Sequence, residues 1–174
     1  DEMVYLMNYD TVHGKLPITF VKDINNNLCY QLDGQTHKIV VFRERNPIDI
    51  PWTQVGAKVI CESSGVFLTT EKASSHLGGC VERVVISAPP KDDTPIYVRG
   101  ANLDSYTKSD KVISNASCTT NCLAPLIRIV DQNFGVESAL MTTVHAMTAS
   151  QAVVDRGGGR SGRSATQNII PAST

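Results

Sequence analysis

The sequence predicts an α/β protein in which a parallel sheet follows a small antiparallel one. Three short, nearly all-apolar runs each end in small polar residues, as strands of a parallel sheet do when both faces are covered. An amphipathic stretch with helical spacing follows the last of them. Ahead of them, strand-like runs alternate with turn-forming residues, the texture of a meander.

In chain order, Met3, Leu6 and Met7 fall at i, i+3 and i+4 and predict a short helix ending near Asp10. Ile18-Thr19-Phe20-Val21 reads as a strand that breaks at the turn-rich Asp23 to Asn27. Leu28 to Leu32 reads as a second strand, Asp33-Gly34 as a favoured hairpin turn, and Lys38 to Phe42 as a third strand. The parallel strands follow: Lys58-Val59-Ile60-Cys61 into Glu62-Ser63-Ser64-Gly65, Arg83-Val84-Val85-Ile86 into Ser87-Ala88-Pro89-Pro90, and Lys111-Val112-Ile113 into Ser114-Asn115-Ala116-Ser117. A short helix is expected over Thr70 to Leu77. Ser and Gly at one strand end merely turn the chain. Three such clusters in register also mark the carboxyl edge, where parallel sheets bind ligands.

After Ser117, Leu123, Leu126, Ile127, Val130 and Phe134 share one helical face, closed by Gly135. Pro125 admits two readings: a helix beginning near Cys122, or one from Cys118 that is bent at the proline. Ala139 to His145 is expected to form a further strand, and Gln151 to Thr166 a polar loop holding Gly157 to Gly159 with Arg156, Arg160 and Arg163.

Composition narrows the function classes. Sixteen Lys and Arg against seventeen Asp and Glu leave a net charge of -1, which gives no electrostatic footprint for nucleic acid or an acidic membrane. No apolar run approaches the ~18 residues of a membrane span. Five cysteines, odd in number and mostly far apart, fit reduced thiols in the cytoplasm better than a disulfide framework. The four histidines supply no second half for a zinc site, so no metal is expected. The chain opens on Asp1 and is expected to be a piece of a longer protein.

Cys118 stands between an apolar strand and a helix start, where free N–H groups and the helix dipole lower a thiol's pKa. An imidazole beside it completes the activation, and His145, at the end of the next expected strand, is the candidate. Against this, a lone cysteine is commonly a small buried hydrophobe, and Cys122, one helical turn on, reads as core. Ser117, Thr119, Thr148, Ser150 and Thr174 supply hydroxyls, and the loop arginines charge, of the kind that holds phosphate.

The twelve residues Ser114-Asn115-Ala116-Ser117-Cys118-Thr119-Thr120-Asn121-Cys122-Leu123-Ala124-Pro125 resemble, letter for letter, the active-site signature of the phosphorylating glyceraldehyde-3-phosphate dehydrogenase family. Shorter pieces continue the likeness in the family's order: Tyr9 to Gly14, Glu62 to Phe67, Ser87 to Pro89, Met141 to Ala146 and Gln167 to Thr174. The resemblance implies the latter part of a Rossmann-type NAD domain (1–117), without its opening Gly-rich fingerprint, followed by the start of an α+β catalytic domain (118–174). It implies Cys118 as nucleophile and His145 as its base. Ser117, Thr119, Thr148 and Thr174 would be substrate or phosphate contacts, and Arg45, Ser64 and Ser87 cofactor contacts, with Ser64 near the adenosine. Met147 and the shortened, tryptophan-free span Asp155 to Ser164 depart from the family pattern.

What the resemblance implies is an NAD-dependent oxidoreductase of glycolysis and glucose metabolism, a cytoplasmic homotetramer when intact. It would convert glyceraldehyde 3-phosphate and inorganic phosphate to 1,3-bisphosphoglycerate through a Cys118 thioester, and the 174-residue piece alone is expected to be inactive. Two rivals use the same residues: a Cys–His hydrolase or acyltransferase without NAD, and a non-catalytic homologue or binding module.

Overall fold

In the computed structural model, which describes residues 1–172, the chain divides into two units. One is Asp1–Lys58 with Ser75–Glu82; the other is Val59–Ser74 with the chain from Arg83 on.

The first unit opens with α1 (Glu2–Asn8), whose last residue is buried and fully bonded. Asn8 Nδ2 donates to the Val4 and Phe20 carbonyls, both at 2.9 Å, and Asn8 Oδ1 accepts from Phe20 N at 2.8 Å. A buried amide with every bond made is stabilising, and here it ties the helix end to the sheet. Two-residue strands β1 (Tyr9–Asp10) and β2 (Gly14–Lys15) pair across a turn, where Asp10 accepts from the Val12 and His13 N–H groups. The expected meander is present as β3 (Phe20–Lys22), β4 (Leu28–Leu32) and β5 (Gln35–Ile39), all antiparallel. Asp33 and Gly34 both take positive φ, 50° and 75°, as a tight hairpin turn requires. That turn fixes the register Leu32↔Gln35. The third strand therefore starts beside the turn and ends at Ile39, instead of spanning Lys38 to Phe42. Phe20 and Leu28 form its buried apolar face, with the Phe20 and Tyr30 rings 5.0 Å apart.

The second unit is built on β6 (Val59–Glu62), β7 (Arg83–Ile86) and β8 (Val112–Ser114), parallel and in that order. The three runs read as strands are all present. Their burial differs from the expectation of two covered faces. Ile60, Val84 and Val112 form one row, Glu62, Ile86 and Ser114 the next, and all six are buried. On the other face Val59 and Cys61 are exposed. The apolar runs encode strand propensity, while covering a face requires a second layer, and among the described residues this face is only partly covered, with Val85 and Ile113 half-buried.

α2 (Thr70–Ala73) runs on into a 3₁₀ turn over Ser74–His76, close to the predicted helix. Thr69 caps it, its side chain accepting from Lys72 N. α3 (Cys118–Phe134) starts at the cysteine and passes through Pro125, which settles the helix start in favour of Cys118. Proline's missing N–H leaves the Asn121 carbonyl without its helical donor. The apolar face of α3 stays largely open: Leu126, Ile127, Val130 and Phe134 are exposed, and Cys122 is exposed rather than core. Ala139 to His145 forms no strand. Its backbone meets no partner ladder among the described residues, and Leu140 and Val144 stand exposed. Alternating apolar residues make a strand only where another strand accepts them.

Candidate active site

Because β6, β7 and β8 are parallel, their carboxyl ends share one edge of the sheet. β8 runs out there into a turn that ends at the first residue of α3. Ser114, wholly buried at the end of β8, donates through Oγ to the Ala88 carbonyl (2.6 Å) and accepts from Ala116 N (2.9 Å). Ala116 takes φ 69°, a left-handed conformation that costs a residue with a Cβ about 1–2 kcal/mol. Ser117 caps the helix, its Oγ accepting from Thr120 N at 3.0 Å. Across the turn, Asn121 Nδ2 donates to the Asn115 carbonyl at 2.7 Å and to the Ser117 carbonyl at 2.8 Å.

The Cys118 thiol is thereby fixed at the head of α3, exposed, with its Sγ 3.1 Å from His145 Nε2. His145 Nδ1 lies 2.7 Å from the Ala146 carbonyl. A carbonyl only accepts, so Nδ1 carries a proton and Nε2 is the nitrogen that exchanges one with sulfur. The hydrogen bond to His145 holds the Cys118 thiol below its usual pKa range, aided by Thr119. The bond to the Ala146 carbonyl, then the one to Cys118, pushes the imidazole above its own. Each shift favours the charged form of its group, so the pair tends toward thiolate–imidazolium. No acidic side chain occupies the first turn of α3 to oppose a thiolate.

The remaining sequence candidates fall into three groups. Thr119 is buried directly after Cys118, and Ser117 is half-buried as the cap. Thr148 is exposed three residues beyond His145, its Oγ1 3.2 Å from Ser150 Oγ. Thr174 lies outside the described residues. Ser64 and Ser87 follow β6 and β7 on the same sheet edge as Cys118. Ser64 donates through N and Oγ to the buried Glu62 carboxylate, whereas the Ser87 side chain faces solvent. Arg45 is exposed in a loop of the first unit. Of the loop arginines, Arg163 pairs with Asp155 at 2.6 Å and Arg156 donates to the Ser150 carbonyl, so both serve the loop itself. No cluster of three or more His, Cys, Asp or Glu suited to a metal occurs among the described residues. No helix there is long and apolar enough to cross a membrane.

A parallel sheet with a thiol–imidazole pair at its carboxyl edge defines an α/β protein equipped for covalent thiol chemistry. Comparison with known proteins narrows this class. The model described as glyceraldehyde 3-phosphate dehydrogenase, NAD binding domain, matches residues 1–70, and that for the C-terminal domain of the same enzyme matches residues 117–174. The chain is 52% identical to glyceraldehyde-3-phosphate dehydrogenase 1 of Globodera rostochiensis over 179 positions, covering 100% of this chain and 55% of that protein. It is 53% identical to glyceraldehyde-3-phosphate dehydrogenase 4 of Caenorhabditis elegans, covering 100% of this chain and 52% of that one. The chain belongs to the glyceraldehyde-3-phosphate dehydrogenase family. It spans about half the length of the curated relatives it matches.

Sequence reasoning assigned no part to Asn121 or Ser114 beyond the signature. A short polar residue at the fourth position of a helix that starts after a turn is the signal that points to Asn121, since such side chains bond local backbone.

Proposed function

We propose that the protein carrying this chain is the NAD-dependent, phosphorylating glyceraldehyde-3-phosphate dehydrogenase of glycolysis, acting in the cytoplasm as a homotetramer. The observation that carries the reading is the 3.1 Å contact between Cys118 Sγ and His145 Nε2 at the head of α3, in a chain of this family. Residues 1–117 would belong to the NAD domain and 118–174 to the catalytic domain.

The chemistry follows from these side chains. The Cys118 thiolate attacks the aldehyde carbon of glyceraldehyde 3-phosphate, and the His145 imidazolium passes its Nε2 proton to the carbonyl oxygen, which leaves a neutral imidazole and a hemithioacetal. His145 Nε2 takes the proton of its hydroxyl, a role suited to a base whose other nitrogen is held by the Ala146 carbonyl. Oxidation at that carbon leaves a thioester on Cys118, which inorganic phosphate opens to give 1,3-bisphosphoglycerate and the free thiol. The Cys118 backbone N–H, at a helix start with no intrahelical acceptor, supports the oxyanion together with His145. Ser117, Thr119, Thr148 and Thr174 are the proposed substrate and phosphate contacts.

The carboxyl edge suits a dinucleotide: Ser64 and Ser87 stand at adjacent strand ends beside the strand that leads to Cys118, and the Ser87 side chain is open to solvent. These serines, with Arg45, are the proposed cofactor contacts. When bound, NAD supplies the hydride acceptor.

The test is NADH formation by the full-length protein given glyceraldehyde 3-phosphate, phosphate and NAD, with loss of activity on alkylation of Cys118. Hydrolysis of simple esters without NAD, and no NADH formation, would overturn the reading in favour of a Cys–His hydrolase.

A further inference from the structure

The turn between β8 and α3 holds an L-residue, Ala116, in left-handed backbone two residues before the thiol, and something must keep it there. From the interior, the buried Ser114 hydroxyl accepts from Ala116 N. From the solvent side, the two amide protons of Asn121 go to two different carbonyls. The bond to the Ser117 carbonyl, four residues back, is an ordinary helical back-bond. The bond to the Asn115 carbonyl, six residues back, is not: it crosses the turn and joins the end of the strand to the helix. Asn115 and Ser117 flank Ala116, so one side chain clamps both sides of the strained residue.

We propose that Asn121 is a positioning residue, its amide bridging the Asn115 and Ser117 carbonyls to hold the turn that presents Cys118 Sγ to His145 Nε2. This rests on the function proposed above. Asparagine suits the task on three counts. Aspartate has no N–H to donate and would set a charge against two carbonyls. Glutamine carries the amide one methylene too far. Serine reaches the Ser117 carbonyl but not across the turn. Asn121 is itself exposed, so replacing it opens no cavity in the core.

The test follows Cys118 alkylation by iodoacetamide against pH in the full-length protein, with Cys118 and Cys122 resolved by peptide mapping. Asn121→Ala should raise the pH midpoint for Cys118 by about one unit and slow its reaction about tenfold at pH values below both midpoints, since the thiolate fraction scales that way there. Cys122, on the same helix but without an imidazole partner, should keep its rate within about twofold. Asn121→Ser, left with the Ser117 bond alone, should fall between parent and alanine, and it carries the comparison if the alanine variant does not fold. An unchanged Cys118 midpoint, with or without a lower melting temperature, would reduce Asn121 to an ordinary structural residue. A parallel fall at Cys118 and Cys122 would assign the effect to a loosened helix. A parent protein whose Cys118 reacts no faster than Cys122 would instead refute the catalytic reading on which the proposal stands.

Discussion

His145 presents Nε2 to the Cys118 sulfur at 3.1 Å while its Nδ1 is held by the Ala146 carbonyl. That division of the ring decides which nitrogen exchanges the proton, and it lets two exposed residues act as one ionising unit. Cys122 lies one turn along α3, also exposed, and has no such partner among the described residues. Cys118 should therefore react with iodoacetamide at least about tenfold faster than Cys122 at pH 7. Peptide mapping after a brief exposure measures both. Equal labelling would show that the imidazole does not activate the thiol.

The same pairing fixes the form of the pH dependence. The thiol is shifted down and the imidazole up, so the ion pair exists between two macroscopic steps that belong to the pair. Cys118 reactivity should begin to rise at a lower pH than that of an ordinary thiol. His145→Asn removes the partner, and the profile should collapse to a single rise moved up toward the ordinary thiol range. Activity should fall by a factor on the order of 10²–10⁴ with the loss of the base. A profile unchanged in His145→Asn would assign the low thiol pKa to the helix head alone.

The dyad was legible in the sequence for a reason that turned out to be half right. Cys118 between an apolar run and an amphipathic stretch does mark a strand-to-helix junction, because both periodicities are local properties. His145 was expected at the end of a neighbouring strand, yet Ala139 to His145 forms none. Strand formation needs a partner ladder, which local sequence does not encode. The hairpin at Asp33-Gly34 was readable because positive φ at both turn positions selects those residue types. The left-handed Ala116 was not, since alanine is an unusual occupant of that region and only the surrounding bonds from Ser114 and Asn121 explain it. The burial of one sheet face, and the open apolar face of α3, depend on what lies against them, and no periodicity reports that.

Ser117 does local work that can be separated from any contact with substrate. Its Oγ accepts from Thr120 N and satisfies one of the free N–H groups at the head of α3. Ser117→Ala should lower stability by about 1 kcal/mol, measured by denaturant unfolding. Ser117→Asp keeps an acceptor and should retain most of that stability, while its negative charge beside the thiol should slow Cys118 alkylation. Loss of stability in both variants would mean that the cap is not what the hydroxyl provides.

Acid sensitivity should trace in part to Asp110. Its carboxylate accepts from the Tyr97 hydroxyl at 2.6 Å and from Thr107 Oγ1 at 3.0 Å, and the Tyr97 bond first, then Thr107, hold its pKa below the usual carboxylate value. A folded pKa below the unfolded one means that the unfolded chain binds the proton more readily. The stabilisation is thus present above the unfolded value of about 3.9 and is lost as pH falls through the lower folded value. Tyr97→Phe removes the donor while leaving a ring to pack at right angles against Tyr106, now 5.4 Å away centre to centre. The variant should melt below the parent at pH 6, and the gap should close as both are taken toward pH 2. A gap that stays constant over that range would mean that the Tyr97 hydroxyl stabilises the fold without favouring the ionised carboxylate.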